Sequence, residues 1–285
     1  MKHIRIISPS GVMDPNWIQQ AEHRLEKWGF RVSRGQHVSA IYGRFAGTIE
    51  QRLIDLNEAF ADESVDIIIC ARGGYGLQQI VDKIVLPTRQ KEKWPLVVGF
   101  SDITVLHALM NSHGVPSLHA SMCKALATLP EYDPVLLQMR EALEKGKNID
   151  ALKGTALQGR KVIGGNLSVL YGLQGTPYSL NAIIDRCEDA PVLLIEDVGE
   201  RHYHIDRMLH NLRMSGIFDK ISGLVVGQFT DCADDVSMGC TLLESIRQIA
   251  EPYTFPILFD YPSGHIDSNY PLLFSQKYHL SVTNF

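Results

Sequence analysis

The sequence predicts an α/β protein: a parallel sheet with helices on its faces in the first half, then a second, more β-rich domain. Two observations carry this. Apolar, β-branched runs alternate with amphipathic stretches, the pattern of strand–helix–strand units that build a parallel sheet. Composition then shifts through Lys145-Gly146-Lys147-Asn148-Ile149-Asp150 and Leu157-Gln158-Gly159-Arg160, which is polar, Gly- and Lys-bearing linker material. The expected division is residues 1–150 and 160–285.

Ile4-Arg5-Ile6-Ile7 is a strand ended by Ser8-Pro9-Ser10-Gly11. Residues 17–28 form an amphipathic helix with Ile18, Ala21, Leu25 and Trp28 on one side, and Gly29 is suited to cap its C-terminus. Phe30-Arg31-Val32 opens a second extended piece, and residues 48–60 are helical through Ile49, Leu53, Leu56 and Phe60. Val65-Asp66-Ile67-Ile68-Ile69-Cys70-Ala71 suits a strand buried on both faces. The turn Arg72-Gly73-Gly74-Tyr75-Gly76 comes next, then a helix over 77–84. Pro95-Leu96-Val97-Val98-Gly99-Phe100 is the next buried strand, and Ser101 opens a helix over 102–112 that Gly114 ends. Beyond the linker, Val192-Leu193-Leu194-Ile195, Gly223-Leu224-Val225-Val226-Gly227 and Tyr278-His279-Leu280-Ser281-Val282 are strands, and residues 207–214 and 241–250 are helices.

Net charge is −5, so no basic footprint points to nucleic acid. No run approaches the ~18 apolar residues of a membrane span, and the N-terminus lacks a signal-peptide core, so a cytoplasmic location is expected. Cys70, Cys123, Cys187, Cys232 and Cys240 are odd in number and lack CxxC spacing, which fits reduced thiols rather than zinc or a disulfide framework. No cofactor or metal is expected. His202 and His204 would share one face if that segment were extended, but no third ligand accompanies them.

Three separated segments could together make a Ser-His-Glu site. Serine needs a base to take its proton, and the base needs a third group to orient it. Ser101 lies between a buried strand and a helix, where a turn exposes its hydroxyl and backbone N–H groups and the helix dipole face any developing oxyanion. Serine is also a favoured N-cap. The run Gly99-Phe100-Ser101-Asp102-Ile103 departs from the G-x-S-x-G elbow at Ile103. Arg72-Gly73-Gly74-Tyr75-Gly76 matches neither dinucleotide nor P-loop fingerprints and is better suited to donate N–H to an oxyanion beside Ser101. Glu196 ends a strand and could hold an imidazole, with Glu200 and Asp206 as competitors. His265, in the punctuated loop Tyr261-Pro262-Ser263-Gly264-His265-Ile266-Asp267, is a candidate base, with His119, His202 and His204 as competitors. Gly164-Gly165-Asn166 could bring Asn166 to substrate or simply start a helix. Arg72, Arg186 and Arg207 could each pair with a substrate carboxylate.

Together these segments resemble the L,D-carboxypeptidase (muramoyltetrapeptide carboxypeptidase) family of serine peptidases. The landmarks are Ser8-Pro9-Ser10-Gly11, Arg44-Phe45-Ala46-Gly47-Thr48, Arg52, Asp55-Leu56-Asn57, Arg72-Gly73-Gly74-Tyr75-Gly76, Gly99-Phe100-Ser101-Asp102-Ile103-Thr104, Gly164-Gly165-Asn166-Leu167, Glu196-Asp197-Val198-Gly199-Glu200 and Gly264-His265. The resemblance implies Ser101 as nucleophile, His265 as general base, Glu196 as orienting carboxylate, and an oxyanion hole from the Gly74 and Asp102 N–H groups. It implies a flavodoxin- or Rossmann-like N-terminal domain, a smaller β-rich C-terminal domain, a homodimer, and a muropeptide tetrapeptide substrate that loses its terminal D-alanine. The chain departs from the family at His119-Ala120-Ser121, where His-Gly-Pro is common, and at Pro271-Leu272-Leu273-Phe274, which lacks a turn glycine. Both departures are expected where substrate is shaped. One rival is a microcin-immunity-like hydrolase of peptidyl-aminoacyl nucleotides, for which Trp94 or Tyr75 would stack on the base. The other is a muropeptide-binding protein without catalysis.

Overall fold

The computed structural model describes residues 1–146 and 152–275. Its elements run β1 (His3–Ile7), α1 (Pro15–Lys27), β2 (Arg31–Arg34), α2 (Ile49–Ala61), β3 (Ile67–Cys70), β4 (Leu96–Gly99), α3 (Thr104–Ser112), β5 (Ser117–His119), α4 (Cys123–Thr128), α5 (Pro134–Lys145), β6 (Val162–Asn166), α6 (Leu167–Gly172), α7 (Leu180–Ile184), β7 (Val192–Val198), α8 (His202–Met214), β8 (Gly223–Thr230), α9 (Leu242–Ala250), β9 (Ile257–Leu258) and β10 (Leu272–Phe274). The expected strand over 278–282 lies outside the described residues.

The apolar runs form the central strands because both faces are covered. On β3, Ile67 and Ile69 face α1, α4 and α5, while Ile68 and Cys70 face α2 and α3. Helix starts obey local chemistry. Asp14 accepts from Asn16 N ahead of Pro15, and Thr48 with Gln51 closes a capping box on α2.

The described strands form one sheet in the order β2-β1-β3-β4-β5-β10-β6-β7-β8-β9. The first five adopt the flavodoxin-like order, whose switch point lies between β1 and β3. Neighbours are parallel throughout except β5 and β10, where Leu272 pairs with His119 antiparallel. The second half thus continues the sheet. Its strands β6 to β9 are parallel, with α6 to α9 packed on Ile163, Leu193, Ile195, Leu224 and Val226. Among the described residues, no helix is long and apolar enough to cross a membrane.

Two local expectations are corrected. The predicted helix over 77–84 is a pair of 3-10 turns, Leu77–Gln79 and Val81–Lys83. Tertiary bonds hold its start: Leu77 N donates to Asp102 Oδ2 (3.0 Å), and Arg52 Nη1 donates to Gly76 O (2.9 Å). His202 and His204 begin α8 rather than sharing one strand face. On a helix they diverge: His202 turns inward to Ser245 Oγ (2.8 Å), and His204 pairs with Glu200 (3.1 Å).

Candidate active site

Strand β4 ends at Gly99, and the chain turns sharply. Phe100 is extended, and Ser101 has φ +66°, a left-handed conformation costly for a residue with a Cβ. Phe100, not Ser101, holds the cap position of the next turn, so the hydroxyl is not spent as a helix cap. The departure from G-x-S-x-G has a steric explanation. A Cβ on Gly99 would lie 2.8 Å from Ile103 Cγ1, so the isoleucine fills space that the glycine vacates. One glycine serves where the motif uses two.

The Gly-rich turn is pressed against this serine. A Cβ on Gly73 would meet Ser101 Cβ at 2.7 Å and Ser101 Oγ at 3.0 Å. Gly11 N donates to Gly73 O (3.0 Å), tying the β1 and β3 ends together, and Gly74 has φ +111°. Below them, the buried Asp102 carboxylate accepts from Ser10 Oγ (2.6 Å) and Leu77 N (3.0 Å), while burial raises its pKa. Arg52, also buried, reaches Gly76 O, Pro9 O and Gln79 Oε1. These bonds set the height of the turn beside Ser101. Replacing Gly73 by alanine is expected to lower kcat by about a hundredfold, because reacting groups tolerate little displacement. Steady-state kinetics with a circular-dichroism control checks this; wild-type kcat would show that the turn does not gate the serine.

The other two candidate residues arrive from the second half. Glu196 on β7 is fully buried, and its Oε2 accepts from His265 Nδ1 at 2.9 Å. Nδ1 meets a carboxylate as donor, which leaves Nε2 as the basic nitrogen. A bulge makes room for this pair: β7 and β8 slip register between Ile195 and Asp197, opposite Gly227. A Cβ on Gly227 would lie 2.5 Å from Ser263 O and 3.1 Å from Glu196 Cβ. Gly264, at φ +132°, passes equally close to Glu196 Oε2. The competing acids are engaged elsewhere, Glu200 with His204 and Asp206 beside His210.

Ser101 and His265 line one cleft of about 710 Å³, together with Gly73, Gly74, Arg72 and Phe100. The Phe100 and His265 rings meet edge-on, with centroids 4.9 Å apart. Of the candidate arginines, Arg72 lines the cleft and donates Nη1 to Val12 O (2.8 Å). Arg186 donates to Ser112 O (3.0 Å) and Arg207 stacks on Tyr203; neither lines the cleft. Asn166 is buried, caps α6 through Val169 N, and donates to Asp197 Oδ1 (2.9 Å). Burial is the main cause that lifts the Asp197 pKa to about 6. Tyr75 packs on Phe45, and Trp94 is buried with Nε1 donating to Arg89 O (2.9 Å). Sequence reasoning missed Trp17 and Lys124, which line the cleft with the ammonium 5.7 Å from the indole centroid. Their signal was present but weak: Trp17 sits on the apolar side of a helix, where it reads as core. Of the two family departures, Ser121 lines the cleft, whereas Phe274 is buried on β10, because that segment pairs with β5.

Behind β4, the His107 ring is fully buried. Its Nε2 donates to Gly99 O (2.9 Å), and Nδ1 accepts from Ser117 Oγ (2.9 Å). Burial pushes its pKa down to about 4, against a partly offsetting bond to Gly99. A free histidine titrates near 6.5. Between these values the unfolded chain binds the extra proton, so stability is fully present above about pH 6.5 and is lost as pH falls toward 4. The loss is roughly 3 kcal/mol by pH 4 from this residue. Urea denaturation from pH 7 to 4.5 is expected to show the decline, and His107→Gln to flatten it; an equal slope in the variant would refute the assignment.

A left-handed serine at a strand end, an imidazole held by a buried carboxylate and a glycine-rich turn pressed alongside define a class: α/β proteins equipped for acyl-transfer chemistry at serine. The chain belongs to the LD-carboxypeptidase family. Residues 4–120 match the LD-carboxypeptidase N-terminal domain and residues 159–280 the LD-carboxypeptidase C-terminal domain. It is 30% identical over 276 residues to the murein tetrapeptide carboxypeptidase of Pseudomonas aeruginosa, covering 92% of this chain and 87% of that protein. It is 31% identical over 279 residues to the probable murein peptide carboxypeptidase of Bacillus subtilis, covering 92% and 83%. Among solved structures, muramoyltetrapeptide carboxypeptidase from Oxalobacter formigenes superposes with a TM-score of 0.76 at 25% identity, covering 96% of this chain and 93% of that one. The microcin C7 self-immunity protein MccF, in complex with aspartyl sulfamoyl adenosine, shares the fold at TM-score 0.75 and 17% identity, covering 96% and 91%.

Proposed function

We propose that this protein is a serine L,D-carboxypeptidase that releases terminal D-alanine from muropeptide tetrapeptides in peptidoglycan recycling. The observation that carries it is the meeting of Ser101 with the Glu196-bound His265 in one cleft of a chain from this family. His265 Nε2 takes the Ser101 proton as Oγ attacks the carbonyl joining the L-centre to the terminal D-residue. The Gly74 and Asp102 N–H groups receive the oxyanion; one such donor is worth roughly 2.7–4 kcal/mol in kcat. The imidazolium then gives its proton to the leaving amine, and the C–N bond breaks. Water, deprotonated by the same imidazole, cleaves the acyl-enzyme and restores Ser101. Arg72 and Lys124, the cationic side chains of the cleft, are the partners for the leaving residue's carboxylate.

On this reading the protein is a cytoplasmic homodimer, with the nucleophile on a domain of residues 1–150 and Glu196 and His265 on one of residues 160–285. Neither nucleic acid nor a membrane is a partner. Trp17 favours one second reading, since its indole in the cleft wall could stack on a nucleobase. Mass spectrometry of a muropeptide tetrapeptide and an acyl-sulfamoyl nucleotide, each incubated with the enzyme, separates the readings. Loss of one alanine from the peptide supports the carboxypeptidase. Cleavage of the nucleotide conjugate alone transfers the site to the immunity-type reaction, and binding of the peptide without cleavage supports a non-catalytic binder.

A further inference from the structure

A buried polar chain runs behind the His265 loop, and the proposed reaction gives it no task. It starts at His119, the last residue of β5, whose ring has no exposed surface. His119 Nδ1 lies 3.1 Å from Ser263 Oγ. Ser263 Oγ reaches Asn269 Oδ1 (3.4 Å), and the same oxygen accepts from Gly264 N (3.0 Å). Ser121 Oγ donates to Asn269 O (3.3 Å), and Ser263 O accepts from Gln228 N (2.9 Å). Each bond ends within a few residues of His265. The chain therefore holds both sides of the turn that carries the imidazole.

His119 also touches the nucleophile side. Its ring lies 5.9 Å from that of Phe100, the residue before Ser101, and Phe100 lies 4.9 Å from His265. One imidazole thus contacts the segment delivering the nucleophile and, through Ser263, the segment delivering the base. These segments are some 160 residues apart in the chain. Its other neighbours are His107 and Phe274, with ring centroids at 6.1 and 5.5 Å. Burial keeps His119 well below the usual histidine range, so it is neutral at working pH and does not compete with His265 as a base. Its Nε2 is buried without a hydrogen-bond partner among the described residues. Leaving a buried polar atom so is costly, and a phenylalanine or leucine would avoid that cost. What the histidine offers in return is the Nδ1 contact to Ser263.

We infer that His119 is a positioning residue for the general base, acting through Ser263 to hold the Gly264–His265 turn in register with Glu196 and Ser101. The inference rests on His265 being the base of the proposed reaction. The test is therefore built on a reagent that needs no peptide.

The experiment measures the rate at which a fluorophosphonate labels Ser101, as a function of pH, for wild type, Ser263→Ala, His119→Leu and His119→Asn, with His265→Ala as the control. Melting temperatures and the fraction of labelled sites at saturation are recorded for each. Asparagine can put its amide nitrogen near the place of Nδ1, whereas leucine cannot. Ser263→Ala and His119→Leu are expected to label about ten- to a hundredfold more slowly, the range for a misplaced catalytic group. The acid limb of their profiles should move as well, a readout that a mere loss of folded enzyme would leave in place. His119→Asn should recover much of the rate. Ser263→Ala, which removes a single oxygen, keeps the test decisive if the His119 variants fail to fold. Wild-type rate and limb in Ser263→Ala would overturn the inference. So would a reduced labelled fraction with an unmoved limb, which is the mark of a merely structural role, or asparagine behaving like leucine. Wild-type labelling that is equal in His265→Ala would instead overturn the proposed base, and so separates the two failures.

Discussion

Ser101→Ala is expected to fold normally and to lose roughly 10⁵- to 10⁶-fold in kcat, the scale seen when a serine nucleophile is removed. The mass spectrum of a muropeptide tetrapeptide should then be unchanged by the variant. Stability should barely move, since alanine meets the same left-handed penalty as serine at φ +66°. Ser101→Gly makes the argument sharper. Glycine adopts this conformation freely, so the variant should be equally inactive yet more stable, by about 1 kcal/mol. Opposite changes in activity and stability at one position would identify backbone strain held for function. Wild-type turnover in a pure alanine variant would end the nucleophile assignment, and a glycine variant less stable than wild type would end the strain argument.

Glu196→Gln is the second large effect. In the proposed reaction the carboxylate bonded to His265 Nδ1 fixes the Nδ1–H tautomer and neutralises the imidazolium formed as Ser101 attacks. An amide of the same shape does neither reliably, so kcat should fall by about 10⁴-fold with KM little changed. Glu200→Gln is the matched control, because Glu200 bonds His204 at the surface. It should retain activity within about twofold, as exposed pairs contribute little. Kinetics on both variants decides the assignment. An active Glu196→Gln beside an inactive Glu200→Gln would move the role to Glu200.

Much of the site was legible in local sequence. Ile67–Cys70 and Leu96–Gly99 read as buried strands because every position is apolar, and the turns after such strands in an α/β sheet lie at the ligand-binding edge. That reasoning reaches Gly73, Gly74 and Ser101 without a structure. The Glu196 strand and the Gly264-His265 turn carry the same kind of signal. Local pattern failed where three residues had to distinguish periods of 2 and 3.6, as at His202 and His204. It failed again over 77–84, where Arg52 and Asp102 hold the chain in 3-10 turns that its apolar spacing does not encode.

By itself, then, the sequence determined the α/β class, the strand-end position of Ser101 and the family, because each is read from short local runs taken in order, whereas β7 continues past the expected end at Glu196 to Val198. The tertiary structure alone decided which carboxylate holds His265, why one glycine suffices in the turn before Ser101, and that Trp17 and Lys124 face the cleft. It also decided that β10 inserts antiparallel beside β5 and brings Ser263 against His119. The physical reason is common to all of these. Each is a contact between side chains far apart in sequence, chosen by how strands pair and how little space a glycine leaves, and neither is written in the local order of residues.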